Sequence, residues 1–103
     1  MTTTHETEIE NKINEKGLNA PRLTPKLIDE SIVSAEYHVF DSSCLTVCCI
    51  TLRNGFTVTG ESACASPANF NVDIGREIAF KNARDKVWML EVYLLKERLH
   101  VGV

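Results

Sequence analysis

Among the residues of this 103-residue chain able to hold a metal, or to pair as nucleophile and base, are four cysteines and three histidines. Cys44, Cys48 and Cys49 lie close together and Cys64 follows. Their spacing is not that of a zinc site, because there is no CxxC pair and no nearby pair of histidines. Cys48 and Cys49 are adjacent, so on a strand they point to opposite faces and do not readily share an ion. Free cysteine is commonly buried and packs as a small hydrophobe, and that role is expected here. Nothing in the spacing joins His38 to a cysteine as its base; His5 lies in the N-terminal tail and His100 past the long helix. There is no GxSxG, HExxH or phosphate-cradling glycine run. The expectation is a protein with no catalytic residue, no metal and no cofactor.

Binding chemistry is better represented. Glu77, Lys81 and Arg84 share one side of a helical stretch, with Asn82 nearby. Such a stripe is either a solvated face braced by i,i+4 pairs such as Glu77–Lys81 and Lys81–Asp85, or the polar lining of a pocket. Ser66 to Phe70 form a loop just before that helix, where free backbone N–H groups suit an anion. Asn69 there has the chemistry to hydrogen-bond a ribose or a base edge. Phe70 or Phe56 has the chemistry to stack on a base. The competing reading is an Asx-turn and two core phenylalanines, and composition alone favours it.

Residues Leu52 to Leu99 must position these groups. Asn54-Gly55 stands between two apolar runs and predicts a tight hairpin, because both residues tolerate positive φ. A two-residue turn would set Arg53 opposite Phe56 and pair Leu45–Arg53 with Phe56–Ser62. That register puts Leu45, Val47, Cys49, Phe56 and Val58 on a core face. It leaves Ile50, Leu52, Thr57, Thr59 and Glu61 on a mixed face, either solvated or lining something polar. The first of these strands is apolar on both sides, which predicts a central strand covered on both faces.

A long helix follows, with Asn71 or Asp73 as its N-cap. No proline or glycine interrupts Arg76 to Leu99, a run roughly 40 Å long at helical rise. Ile74, Ile78, Ala83, Val87, Leu90 and Leu94 can face one core. Phe80, Trp88, Met89, Val92, Tyr93, Leu95 and Leu99 spread round the remaining faces, and a helix apolar nearly all round is usually buried on several sides. The expectation is a homodimer packed through this helix, unless the terminal strands cover the second face within one subunit.

Upstream, Thr24-Pro25 signals a helix start, threonine as N-cap and proline in the first turn, with an end near Ser34. Glu36 to Phe40 then reads as a strand, and Asp41-Ser42-Ser43 as a turn. Residues 1–22 read as a flexible extension, in which Glu6 to Lys16 can form a short helix stopped by Gly17. Residues 23–103 read as a single α+β domain: a small antiparallel sheet of three or more strands, a short helix before it and a long one after.

Hydrophobic residues make up 44% of the chain and the formal net charge is −3. That balance argues against a nucleic-acid polymer as partner, since binding one requires a basic surface. No run approaches the roughly 18 apolar residues of a membrane span, and the N-terminus lacks the basic and apolar regions of a signal peptide. The expected location is the cytoplasm, with the cysteines reduced.

Several motifs occur together: Asn54-Gly55-Phe56, Gly60-Glu61-Ser62-Ala63-Cys64, Pro67-Ala68-Asn69-Phe70, Ile74-Gly75, Asn82-Ala83 and Trp88 to Leu95. With Ile32–Ser34 and Tyr37–Phe40, they resemble a family of small tailed-phage and prophage proteins over residues 24 to 99. Some members of that family resemble, or belong to, the first family of Thoeris anti-defence proteins. Those proteins are sponges, which bind cyclic ADP-ribose isomers made by bacterial TIR-domain enzymes and do not degrade them. Some also sequester the cyclic oligonucleotides of the CBASS system, and they assemble as dimers or higher oligomers with pockets where subunits meet.

The resemblance therefore implies a phage protein in the host bacterial cytoplasm that binds a cyclic nucleotide signal as a homo-oligomer. The residues assigned to ligand binding are Phe56, Asn69, Phe70, Lys81, Asn82 and Arg84. The phenylalanines would stack on bases, the asparagines would bond ribose or base, and Lys81 and Arg84 would pair with pyrophosphate. Alanine at Lys81 or Arg84 is expected to weaken binding and leave the fold intact. The alternative is a protein–protein interaction module that inhibits a host protein through the helix face.

Overall fold

The computed structural model describes residues 4–18 and 20–102. Helices α1 (Thr4–Glu15) and α2 (Pro25–Ser31) precede strands β1 (Ile32–Val39), β2 (Thr46–Leu52) and β3 (Thr57–Ser62). A short 3-10 turn (Pro67–Asn69) then leads into α3 (Val72–Val101). The sheet is antiparallel with order β1-β2-β3, so the class is α+β as expected.

Local chemistry explains most of the boundaries. Thr24 caps α2 by accepting the Leu27 N–H at 3.2 Å, and Pro25 opens the helix. Asn71, rather than Asp73, caps α3, its Oδ1 accepting the Ile74 N–H at 3.0 Å. Gly102 ends α3 in the left-handed conformation, φ 79°. The end of α2 departs from expectation, falling at Ser31 rather than near Ser34. The β-branched pair Ile32-Val33 enters the sheet at once, with Ile32 opposite Leu52 and an irregularity in register before Ser34.

The hairpin is tight, but its loop has three residues rather than two. Gly55 donates its N–H to Leu52 O at 2.9 Å, and Leu52 donates to Phe56 O at 2.9 Å. Arg53 and Asn54 form the turn, and Gly55 (φ 88°) supplies the left-handed residue that closes it. Asn54 Oδ1 accepts the Phe56 N–H at 3.0 Å. Phe56 therefore stands opposite Leu52, not Arg53. A slip of one residue reverses the faces of a strand, and this one does. Thr46, Cys48, Ile50 and Leu52 are buried, while Val47, Cys49 and Thr51 form the half-buried outer row. The core face expected from a two-residue turn is thus the outer one for β2, and the strand has one fully covered face.

Helix α3 lies across the inner face, packed on β2 and β3. Its contact row is Gly75, Ala79, Ala83 and Val87, spaced every four residues. These small side chains let the helix approach the sheet more closely than larger ones would. Ile74 and Ile78, expected inside, are 56% and 44% exposed. The closest approach is at Gly60 of β3. A Cβ there would sit 2.8 Å from Ala83 Cα and nearer still to the Ala83 nitrogen and the Ala79 oxygen. Ile28, Cys48, Ile50, Leu52 and Val58 complete the core with Ala79, Ala83 and Val87.

At about 1.5 Å per residue, α3 is roughly 45 Å long, whereas a six-residue strand such as β3 spans roughly 20 Å. The C-terminal half of α3 therefore projects past the sheet. The molecule measures 50 × 30 × 19 Å, with a radius of gyration of 16.3 Å against about 13 Å for a compact chain of 100 residues.

Candidate functional site

The six residues assigned from sequence occupy different parts of the fold. Asn69 and Phe70 line a small cleft of about 80 Å³ between the N-terminus of α3 and the end of β3. Cys44 and Cys64 share that cleft, and the hydrogen bond between their thiols raises the pKa of Cys44 above the usual thiol value. Cys48 is buried, which likewise raises its pKa. Both thiols are thereby held in the protonated, weakly nucleophilic form. Phe56 is 57% exposed at the opposite end of β3.

The polar stripe of α3 is divided among separate tasks. Lys81 is exposed and pairs with Asp85 at 3.1 Å. Asn82 Nδ2 donates to Glu61 O at 2.8 Å, and Lys86 Nζ donates to Thr59 O at 2.6 Å. Helix side chains thus occupy carbonyls of β3, an edge strand, which would otherwise invite another strand.

Arg84 is 4% exposed, beneath α1 and α2. Its Nη1 donates to Glu6 of α1 and its Nε donates to Asp29 of α2 at 2.8 Å. Trp88 Nε1 also donates to Glu6, at 3.1 Å. Glu10 of α1 accepts both Arg22 amino groups, at 2.8 and 2.9 Å. Residues 4–15 are therefore a helix tied to the body through carboxylates. Burial alone would raise the Asp29 pKa; hydrogen bonds from cationic partners, Arg84 among them, hold it below the usual carboxylate value. Burial alone would make Arg84 easier to deprotonate, but its bonds to Glu6 and Asp29 outweigh that and keep it charged. Guanidinium and carboxylates here satisfy one another.

A larger cleft, about 320 Å³, opens where α3 runs out over the hairpin. Its polar lining is Arg53 and Asn54 from the turn, Glu91 and Arg98 from α3, and Ser31 at the end of α2; Leu52 and Leu94 form its apolar wall. Phe56, opposite Leu52, stands on the same face of the sheet. Sequence reading missed Arg53, Glu91 and Arg98 as a group. The turn that brings position 53 under position 98 is one residue longer than an Asn-Gly pair suggests. A third cleft, about 340 Å³ and mostly apolar, lies between α1 and Trp88, lined by Ile9, Ile13, Leu23 and Pro25. Among the described residues, no group of three or more histidine, cysteine, aspartate or glutamate side chains is placed to hold a metal. None of the described helices is long and apolar enough to cross a membrane.

Residues 23–99 match the model of a phage protein family described by N4 Gp49 and phage Sf6 gene 66. The chain belongs to this phage protein family. No curated protein and no solved structure matches it significantly. The N4 Gp49/Sf6 gene 66 match begins at position 23 and so takes in α2, the sheet and nearly all of α3. Helix α1 lies outside it, so Glu6, one of the two carboxylates on Arg84, comes from outside the matched segment.

Proposed function

We propose that this phage protein sequesters a cyclic nucleotide signal of bacterial immunity without degrading it, in the cytoplasm of the infected host. Cyclic ADP-ribose isomers are the leading ligands and cyclic oligonucleotides the second class. The reading starts from the sequence resemblance. The observation that carries it in the structure is the projecting half of α3. Met89, Val92, Tyr93 and Leu99 are 74%, 52%, 70% and 50% exposed there. An apolar surface of this kind on a small protein marks an interaction site. Pairing it with a second copy would produce a homo-oligomer and enclose the clefts of the single chain. Of the six assigned residues, Phe56 and Lys81 are exposed, Asn69 and Phe70 lie at the other end of α3, the Asn82 amide is bonded to Glu61 O, and Arg84 would first have to leave Glu6 and Asp29.

The test is calorimetric titration with a cyclic ADP-ribose isomer, followed by heating the complex and mass analysis of the released ligand. Tight binding with intact ligand recovered supports sequestration. Cleaved products accumulating with time would make the protein an enzyme. The same exposed helix face also fits a protein partner. Absence of binding to cyclic ADP-ribose isomers and cyclic oligonucleotides, together with recovery of one specific host protein, would establish that reading instead.

A further inference from the structure

We infer that the cleft between the hairpin turn and the C-terminal half of α3 is a phosphate-binding site, with Arg53 and Arg98 as its two anion ligands. The chain has five arginines. Arg22 is held in a two-pronged pair by Glu10. Arg76 lies 5.3 Å from the centre of the Tyr37 ring. Arg84 is buried between Glu6 and Asp29. Arg53 and Arg98 are the remaining two, and among the described residues neither has an ion pair or a side-chain hydrogen bond. They come from elements 45 residues apart, yet line one concave cleft of about 320 Å³.

Arginine presents a planar fork of N–H donors that matches phosphoryl oxygens, and two forks in one cleft suit a diphosphate better than a single carboxylate. The rest of the lining narrows the ligand class. Glu91 is half-buried in the same cleft and accepts hydrogen bonds only. It would repel a bare anion but receive a ribose hydroxyl or an exocyclic amine. Asn54 offers both a donor and an acceptor, although its Oδ1 already holds the Phe56 N–H. Phe56, opposite Leu52 and exposed, does not line the cleft itself. The C-terminal end of α3 lies close by, and its negative dipole disfavours anions; Arg98 in the last turn offsets it. The lining thus fits a ligand with phosphoryl oxygens at one end and hydroxyl or amine donors at the other, that is, a nucleoside diphosphate or a diphosphate-linked dinucleotide.

This inference deepens the sequestration reading by moving its anion contacts from Lys81 and Arg84 to Arg53 and Arg98, and it rests on that reading only for the cyclic ligand. ADP-ribose is the probe, titrated into full-length protein and followed by amide chemical shifts and calorimetry. Saturable binding is expected, with the largest shifts at positions 53–55 and 91–98. Arg53→Ala and Arg98→Ala should each weaken it at least about tenfold, with an unchanged melting temperature because both side chains are on the surface. Lys26→Ala, which removes a cation on α2 already paired with Glu30, should leave affinity unchanged. Raising the salt concentration should weaken binding in the wild type. No saturable binding of ADP-ribose, or equal losses in Lys26→Ala and Arg53→Ala, would overturn the assignment. If cyclic ADP-ribose isomers bind and Arg53→Ala and Arg98→Ala do not weaken them, sequestration stands and this cleft is wrong. If ADP-ribose fills the cleft but no cyclic nucleotide binds, the cleft stands and sequestration falls.

Discussion

The two halves of α3 do opposite things with similar residues. From Val72 to Val87 the helix presents glycine, alanine and valine to the sheet, and of its two arginines Arg76 lies over the Tyr37 ring while Arg84 is sealed between carboxylates. From Trp88 to Val101 it carries Met89, Val92, Tyr93, Leu99 and Val101 into solvent, and its arginine, Arg98, has no carboxylate partner among the described residues. The first half is closed toward the sheet by small side chains and satisfied charges, and leaves Val72, Ile74 and Ile78 exposed on its other side. The second is open on both counts. Residue type alone therefore does not identify a ligand site; what matters is whether the fold has already satisfied the side chain.

The largest expected effect comes from breaking the closed half. Gly60→Ala would drive a methyl into the α3 backbone at Ala79 and Ala83, which has no flexible end to move aside. A loss of about 3 kcal/mol or more is expected, read as a large drop in urea midpoint. A midpoint within error of wild type would mean that helix and sheet are not in this contact.

Next is Arg84→Ala, with an expected loss of about 2–3 kcal/mol, because two partly buried carboxylates lose the guanidinium they share. Trp88 fluorescence should shift in the same variant, as its indole shares Glu6 with Arg84. This reverses the sequence expectation that an alanine here leaves the fold intact. Acid probes the same junction. The Asp29 pKa lies below its usual value of 3.8, so its contribution is fully present above about pH 4 and is lost as pH falls through the lowered value. Stability should fall with acid below that point, more steeply in wild type than in Asp29→Asn. Parallel acid curves for the two proteins would exclude the pair.

The smallest effect goes the other way. The Thr46 hydroxyl is fully buried and, among the described residues, has no hydrogen-bond partner, in the tight contact between Gly75 and β2. Thr46→Val keeps the shape and removes the orphaned group, so a gain of about 1 kcal/mol is expected. A loss of similar size would show that the hydroxyl is satisfied in solution.

Much of this division was legible in the sequence and some was hidden for definite reasons. Thr24-Pro25, Asn71 and the uninterrupted run from Arg76 carry local signals, and the helices start where those signals lie. The hairpin was legible as a hairpin, but Asn-Gly suits more than one loop length. The third loop residue, Arg53, reversed the face of β2 and exchanged Val47 and Cys49 for Cys48, Ile50 and Leu52 in the core. The use of Arg84 could not be read, because Glu6 lies 78 residues away and outside the matched family segment. Asn82 looked like a ligand residue because it is polar on an apolar helix, yet its amide is spent on the edge of β3. The convergence of Arg53 and Arg98 follows from turn length and helix overhang together, which no local pattern encodes.

The claim that the second half of α3 is kept open for association is tested most directly by sedimentation equilibrium on wild type and on the double variant Met89→Asp, Tyr93→Asp. Both side chains are largely exposed in the single chain, so the variant should still fold, and its melting temperature should fall only by the stabilisation that association gives the wild type. Wild type should sediment as a dimer or larger and the variant as a monomer. A wild-type protein that remains monomeric up to high micromolar concentration would contradict the account.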